Sequence, residues 1–228
     1  MQVLIIVPAY NEEKSIKTVV ADIKSSCGKY EYVVVNDGSF DETLEICRAE
    51  GFNVIDLPVN LGLSGAFQTG MKYAWENNYD CAIQFDADGQ HISEYIEQFV
   101  EKIEEGYDIV IGSRFMNGGK GWSMRMIGSR LITAAIKITT GKTIKDPTSG
   151  MRMYSKKMLK EFAYNINYGP EPDTVSYLLK NGANACEIDV HMKEREQGES
   201  YLNLFGSANY MVKMLVSILL VQNVRKRG

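Results

Sequence analysis

Cys81-Ala82-Ile83-Gln84-Phe85-Asp86-Ala87-Asp88-Gly89-Gln90-His91 is the stretch on which the reading of this chain turns. An apolar run stops at two carboxylates and a glycine, the pattern of a buried strand that delivers an acidic turn to the edge of a sheet. In α/β proteins, ligands bind at that edge. Asp86 and Asp88 stand one residue apart, and the Gln90 amide follows two further on. Oxygen donors of this kind suit Mg²⁺ or Mn²⁺ better than soft metals, and these cations take much of their shell from phosphate oxygens and water. Taken alone, Asp-x-Asp-Gly also fits an ordinary surface turn, because Asp and Gly are common turn formers. The neighbouring sequence decides between the two.

On both sides of this stretch the first half of the chain is regular. Strand-like runs at 3–7, 32–36, 53–57, 81–85 and 108–112 alternate with stretches of helical spacing at 13–25, 41–50, 65–77 and 92–105. Such βαβ alternation predicts an α/β fold with a mostly parallel central sheet flanked by helices. Right-handed crossovers then gather the C-terminal ends of the strands on one edge. The loops leaving those ends are Pro8-Ala9-Tyr10-Asn11-Glu12, Asp37-Gly38-Ser39, Pro58-Val59-Asn60-Leu61-Gly62 and the acidic turn itself. Polar and punctuating residues therefore collect where a ligand crevice is expected.

Bulk properties limit the function classes. A chain of 228 residues, 45% of them hydrophobic, can bury a sizeable core as one large domain or one domain with an appendage. A net charge of −4 argues against general affinity for nucleic acid. His91 and His191 are too few and too separated for a histidine-rich metal site. Cys27, Cys47, Cys81 and Cys186 are widely spaced, with no Cys-x-x-Cys pair, and are expected to be reduced, mostly packed thiols of a cytosolic protein. The run at 3–7 is too short, and lacks the basic lead, for a signal peptide. No run is long enough to span a membrane.

Beyond residue 115 the pattern loosens. Gly-rich Asn117-Gly118-Gly119-Lys120-Gly121 is expected to be a mobile functional loop, followed by an amphipathic stretch at 124–139 and by Asp146-Pro147-Thr148-Ser149-Gly150. The segment 204–224 is rich in Met, Leu, Ile and Val and ends in Arg225-Lys226-Arg227. It fits either a core-packing terminal helix or an amphipathic helix that lies on an anionic membrane surface or docks on a small membrane subunit. The expected organisation is a catalytic domain over 1–203, with a nucleotide-sugar half at 1–115 and an acceptor half at 116–203, followed by a C-terminal helix and basic tail at 204–228.

Taken together, Pro8-Ala9-Tyr10-Asn11-Glu12, Val35-Asn36-Asp37-Gly38-Ser39 with Asp41-Glu42-Thr43, Asn60-Leu61-Gly62 and Asp86-Ala87-Asp88-Gly89-Gln90-His91 resemble inverting glycosyltransferases of family 2. With Gly112-Ser113-Arg114 and Asp146-Pro147-Thr148-Ser149-Gly150 added, the chain looks most like polyprenyl-phosphate sugar transferases of the dolichyl-phosphate mannose synthase-like branch. The resemblance covers roughly residues 1 to 200 with its motifs in order. It implies a GT-A nucleotide-diphospho-sugar transferase fold, a nucleotide diphosphate sugar as donor, and Mg²⁺ or Mn²⁺. Carried over by position, Pro8, Ala9, Tyr10 and Glu12 line the nucleoside pocket and Asp37 accepts a hydrogen bond from the base. Asp86 lies beside the donor ribose, sugar or metal, and Asp88 and Gln90 are the direct metal ligands. The family usually shows two adjacent aspartates in its second motif, whereas this chain has Asn36-Asp37, which favours Asp37 as the base contact. Arg195, in Arg195-Glu196-Gln197-Gly198-Glu199-Ser200, reaches the donor diphosphate. Tyr201 replaces the basic residue that commonly follows that serine.

The resemblance also places Arg114, Arg125 and Ser129 at the phosphate of a polyprenyl phosphate acceptor. Arg125 and Ser129 are four apart, so on a helix they share a face. Guanidiniums and a hydroxyl suit a phosphate dianion, and a solvated basic helix face is the plainer reading. An ionised phosphate needs no general base. A hydroxyl acceptor needs one, and Glu171 or Asp173 in Gly169-Pro170-Glu171-Pro172-Asp173 is placed for that role, unless both simply open a helix. The expected function is therefore sugar transfer to polyprenyl phosphate by an enzyme peripheral on the cytoplasmic face of the membrane. The alternatives are extension of a cell-surface polysaccharide at a sugar hydroxyl and a non-catalytic nucleotide-sugar binding module. A single aspartate-led base pocket without an added recognition loop favours a UDP-sugar.

Overall fold

The computed structural model describes residues 1–116, 124–192 and 204–223. Among them, seven strands form one sheet: β1 (Val3–Ala9), β2 (Glu31–Asn36), β3 (Val54–Asp56), β4 (Cys81–Gln84), β5 (Ile109–Ser113), β6 (Arg152–Ser155) and β7 (Ala185–Asp189). The helices are α1 (Ile16–Cys27), α2 (Thr43–Ala49), α3 (Gly62–Glu76), α4 (Ile96–Glu104), α5 (Met124–Thr140), α6 (Lys156–Tyr164), α7 (Pro172–Lys180) and α8 (Leu204–Leu219). The strand order is β3-β2-β1-β4-β6-β5-β7. All pairings are parallel except those of β6, which runs antiparallel to both β4 and β5. The mostly parallel α/β sheet expected from the sequence is present, and each strand and helix expected before residue 115 has its counterpart.

β1 shows why the apolar runs are continuous rather than alternating. Leu4 and Ile6 face one core layer with Phe67, Met71, Tyr154 and Phe162, while Val3, Ile5 and Val7 face the other with Ile16, Val20, Ile23 and Phe99. A strand covered on both faces is apolar at every position. Close helix-to-sheet packing is sterically set at Gly70, where a Cβ would stand 2.3 Å from Ile6 Cγ2. The register pairs Ala9 with Asn36 and Ile6 with Gln84, so β1, β2 and β4 end along one edge.

β6 did not stand out in the sequence because it is four residues long and begins with an arginine. Arg152 is 1% exposed. Its Nη1 donates to the Pro170 carbonyl at 2.6 Å and its Nη2 to the Pro147 carbonyl at 2.7 Å. One buried guanidinium thus ties the Asp146–Gly150 turn to the segment that opens α7.

α8 is joined to the domain rather than merely following it. Ile218 belongs to the larger core cluster. A Cβ at Gly128 would stand 2.6 Å from Met211 Sδ, so α5 and α8 meet where residue 128 lacks a side chain. Glu171 accepts a hydrogen bond from the Tyr210 hydroxyl, and Asp173 Oδ2 accepts one from Ser217 Oγ at 2.5 Å. The boundary expected at residue 203 lies outside the described residues. Cys27, Cys47 and Cys81 are buried and Cys186 is half-buried, all as free thiols. Desolvation pushes Cys27, Cys47 and Cys186 up to about 11 and Cys81 to about 12, so these thiols are held protonated.

Candidate active site

The chain order reverses at β1: β2 and β3 extend the sheet on one side of it, and β4 begins the other. Crevices form outside the strand ends at such a switch point. There the structure has a cavity of about 490 Å³, lined by Pro8, Ala9, Tyr10 and Glu12 from the end of β1, Asp37 from the end of β2, Asn60, Gly62, Leu63 and Ala66 around the start of α3, and Asp86, Ala87 and Asp88 from the end of β4. Four loops far apart in sequence therefore share one wall.

Hydrogen bonds between these loops fix the wall. Asn11, at φ 56°, receives the Phe40 N–H on its Oδ1 at 2.9 Å, and its own N–H donates to Ser39 Oγ at 3.0 Å. The Glu12 N–H donates to Thr43 Oγ1 at 2.8 Å, and the Glu12 carboxylate accepts from Ser15 Oγ at 2.6 Å. Asp37 is buried and its Oδ1 accepts the Leu61 N–H at 2.7 Å, so the carboxylate both holds the 58–62 loop and faces the cavity. Gly38 makes that approach feasible: its φ is +63°, and a Cβ there would lie 2.7 Å from Asn60 N and Val59 C. Asn36 points elsewhere, with Nδ2 donating to Asp56 Oδ1 at 2.8 Å on the neighbouring strand.

Asp86 is held from three sides. Its N–H donates to His91 Nδ1 at 2.9 Å, which leaves the proton of a neutral imidazole on Nε2, 3.5 Å from Asp86 Oδ2. Its Oδ1 accepts from Gln84 Nε2 at 2.8 Å. A Cβ at Gly150 would come within 2.7 Å of Asp86 Oδ2, so the Asp146–Gly150 turn rests directly on this carboxylate. Asp88 Oδ1 accepts the Gln90 N–H at 3.1 Å, closing a tight turn. Gln90 is not among the residues lining the cavity, although Asp86 and Asp88 are.

The donor set fits a hard divalent cation. Asp86, Asp88 and Glu12 bring carboxylate oxygens to a cavity wall that includes no histidine or cysteine. Among the described residues, no group of three or more His, Cys, Asp and Glu closes around a metal. Mg²⁺ and Mn²⁺ bind through one or two carboxylates and complete their shell with substrate phosphate and water.

The residues expected on the acceptor side have more varied positions. Arg114 leaves the end of β5 and binds the buried Asp146 carboxylate. Ser129, in α5, is 1% exposed and is turned into the protein. The side chain of Arg125 and all of Arg195, with its neighbours Ser200 and Tyr201, lie outside the described residues. Asp173 is not a cavity residue: it is buried in the first turn of α7, and its carboxylate and carbonyl accept from Ser217 and Gln222. Glu171 is likewise turned to α8 through Tyr210. Two contributors had escaped notice in the sequence. Arg152 was signalled only by a charge beside an apolar run, and the part played by His91 depends on a five-residue loop closing back on Asp86.

Residues 4–163 match the model of glycosyl transferase family 2. This chain belongs to that family. It is a glycosyltransferase with a GT-A fold. Dolichyl-phosphate hexose transferase of Haloferax volcanii is 29% identical over 223 residues, covering 97% of this chain and 95% of its own. Undecaprenyl-phosphate mannosyltransferase of Micrococcus luteus is 30% identical over 216 residues, covering 89% of this chain and 88% of its own. Among solved structures, glucosyl-3-phosphoglycerate synthase of Mycobacterium tuberculosis, in complex with Mn²⁺, UDP-glucose and phosphoglyceric acid, superposes with a TM-score of 0.72 at 17% identity, covering 99% of this family 2 chain and 81% of the synthase. Other complexes of that synthase contain UDP with Mg²⁺. No helix among the described residues is long and apolar enough to cross a membrane.

Proposed function

We propose that this family 2 enzyme moves a sugar from a nucleotide diphosphate sugar, favoured as a UDP-sugar, to a polyprenyl phosphate, inverting the anomeric centre in a single displacement. The observation that carries the donor half is the shared cavity: Asp37 and the Pro8-Ala9-Tyr10 turn line one part of its wall, and Asp86 and Asp88 another. The acceptor half draws on the two relatives named for dolichyl and undecaprenyl phosphates, which align over nearly all of this chain.

In this reading Pro8, Ala9, Tyr10, Glu12 and Asp37 hold the nucleoside, and Asp86 faces the ribose or sugar. Asp88, helped by Gln90, holds the divalent cation, which when bound offsets the negative charge that gathers on the departing diphosphate. The donor C1–O bond breaks with its electron pair passing to the diphosphate, and an ionised oxygen of the acceptor phosphate bonds C1 from the opposite face. No general base is required, because that phosphate is already deprotonated. Arg114 and Arg125 orient the acceptor phosphate, whereas Ser129 is buried in α5, and Arg195 contacts the diphosphate. The hydroxyl-acceptor alternative gains nothing from the geometry, since Glu171 and Asp173 are both engaged with α8. The acceptor also implies attachment at the cytoplasmic face of a membrane, directly or through a small membrane subunit.

The test is transfer from a panel of radiolabelled nucleotide sugars into an organic-extractable product, with undecaprenyl phosphate and Mg²⁺ or Mn²⁺. The expected result is one labelled, chelator-sensitive lipid. Asp88→Asn is expected to lower the rate by about 10²- to 10³-fold. A donor that binds tightly with metal yet labels no lipid would overturn the assignment and direct attention to glycan acceptors.

A further inference from the structure

The Tyr210 hydroxyl is spent inside the protein. Met211, Met214 and Leu215 beside it in α8 pack against the larger core cluster, and the hydroxyl donates to the Glu171 carboxylate. Burial and that carboxylate push the Tyr210 hydroxyl well above the ordinary tyrosine range, so it remains a donor at any working pH. Glu171 directly follows Pro170, whose carbonyl receives Arg152 Nη1 at 2.6 Å. The Glu171 N–H donates to the Gly169 carbonyl at 2.8 Å, which folds residues 169–171 into a tight turn. Gly169 is seated on α3, where a Cβ would collide with Ser64 Oγ. The segment is therefore backed by α3 and held by α8.

Arg152 carries that position onward to the active site. Its Nη2 holds the Pro147 carbonyl at 2.7 Å, and three residues further on Gly150 rests on Asp86 Oδ2. Arg152 is also the cross-strand partner of Gln84 in the antiparallel pairing of β6 with β4. Residues directly opposite each other in such a pair share one face of the sheet. Gln84 is buried, and its Nε2 donates to Asp86 Oδ1 at 2.8 Å. Both oxygens of Asp86 are thus met by groups that adjoin Arg152: Oδ2 by the turn it grips, Oδ1 by the glutamine that faces it. Close-packed interiors transmit displacement from one such contact to the next.

We propose that Tyr210 and Glu171 are positioning residues for Asp86: the bond that α8 makes to Glu171 sets, through Pro170 and Arg152, where the Asp146–Gly150 turn stands against the Asp86 carboxylate. The proposal rests on the reading that puts Asp86 at the ribose or sugar of the donor. Neither Tyr210 nor Glu171 lines the donor cavity, so their effect on transfer passes through the turn. A small displacement at a reacting centre slows the reaction without unfolding the protein. The engagement of Glu171 with α8 thereby serves the reaction although Glu171 is not its base.

Hydrogen exchange read by mass spectrometry, together with transfer kinetics on a short-chain polyprenyl phosphate, tests this on the full chain. Tyr210→Phe removes one hydroxyl and keeps the ring, so the protein should fold, which thermal melting checks. Exchange across 146–151 and 84–91 is expected to quicken at least about threefold in the resting variant. Its kcat should fall about tenfold while the donor KM stays within about twofold. Glu171→Ala should match it, and the double variant should be no worse than either single one, because both cut the same bond. Glu171→Gln still accepts the hydroxyl and should recover most of what Glu171→Ala loses, whereas a general base would be lost equally in both. Faster exchange confined to α7 and α8, or a kcat untouched by Tyr210→Phe, would overturn the proposal, since contiguity alone does not prove coupling. The two readings separate: a wild-type enzyme that labels no lipid counts against the proposed reaction, whereas exchange at 146–151 and 84–91 decides the link from α8 to Asp86 with no acceptor present.

Discussion

Arg114 grips Asp146 side by side: Nε donates to Oδ2 at 2.7 Å and Nη2 to Oδ1 at 2.9 Å, and the aspartate is fully buried. The Arg114 N–H adds a bond to Oδ2 at 3.2 Å, and Nη2 also reaches Thr148 Oγ1 at 3.2 Å. Burial pushes the Asp146 carboxyl up, but the Arg114 hydrogen bonds and charge more than offset it and hold the group below the ordinary carboxylate range. The end of β5 is thereby locked to the turn that rests on Asp86. An arginine that the sequence offers as an acceptor contact is in the fold a structural pin.

Removing that pin should leave a buried charge without its partner. Arg114→Met is expected to cost about 2–4 kcal/mol of unfolding free energy at neutral pH, somewhat below the range for a fully buried pair because Arg114 is about a third exposed. Since the folded value of Asp146 is lowered, the stabilisation is present above the ordinary carboxylate range and is lost as pH falls through the lowered value. Urea titrations of wild type and variant should therefore converge in acid. A difference that stayed constant down to strongly acidic pH would assign the effect to lost packing instead.

Two glycine substitutions should separate activity from stability. Gly150→Ala places a Cβ 2.7 Å from Asp86 Oδ2, the movable end of a side chain, so the carboxylate shifts while the backbone stays. Transfer should drop about ten- to hundredfold, with a stability change under about 1 kcal/mol. Gly38→Ala meets backbone atoms of Val59 and Asn60 at a positive φ and should cost about 1–3 kcal/mol. Thermal melts and transfer rates on the same preparations check both, and a Gly150→Ala enzyme of full activity would sink the first.

Arg152 is expected to act through the two carbonyls it holds. Arg152→Met leaves those of Pro147 and Pro170 without their donor in a buried site and should lower stability by about 2–4 kcal/mol. Arg152→Lys keeps the charge but not the fork that spans both carbonyls, so it should recover only part of the loss. Denaturant unfolding of the three proteins decides it. Full recovery by lysine would mean that charge alone, not the double grip, matters.

Much of the fold was legible because the first half obeys local rules. β1, β2 and β4 are covered on both faces, which forces the apolar runs at 3–7, 33–35 and 81–83, and the loops between elements are marked by Pro, Gly and Asp. β6 and β7 were not legible. The first is too short for a pattern and opens on Arg152, whose buried charge is tolerable only because two distant carbonyls meet it.

The site divides along the same line. Its ingredients are local: Pro8-Ala9-Tyr10, Asp37 and Asp86-Ala87-Asp88 each follow a strand, and their chemistry can be read residue by residue. The antiparallel insertion of β6, the seat of Gly150 against Asp86, the pairing of Arg114 with Asp146 and the turning of Glu171 and Asp173 toward α8 are set by tertiary structure. The physical reason is range. Hydrophobic period, turn chemistry and capping act over a few neighbouring residues, whereas hydrogen bonds and steric contacts between segments tens of residues apart exist only once the chain has folded.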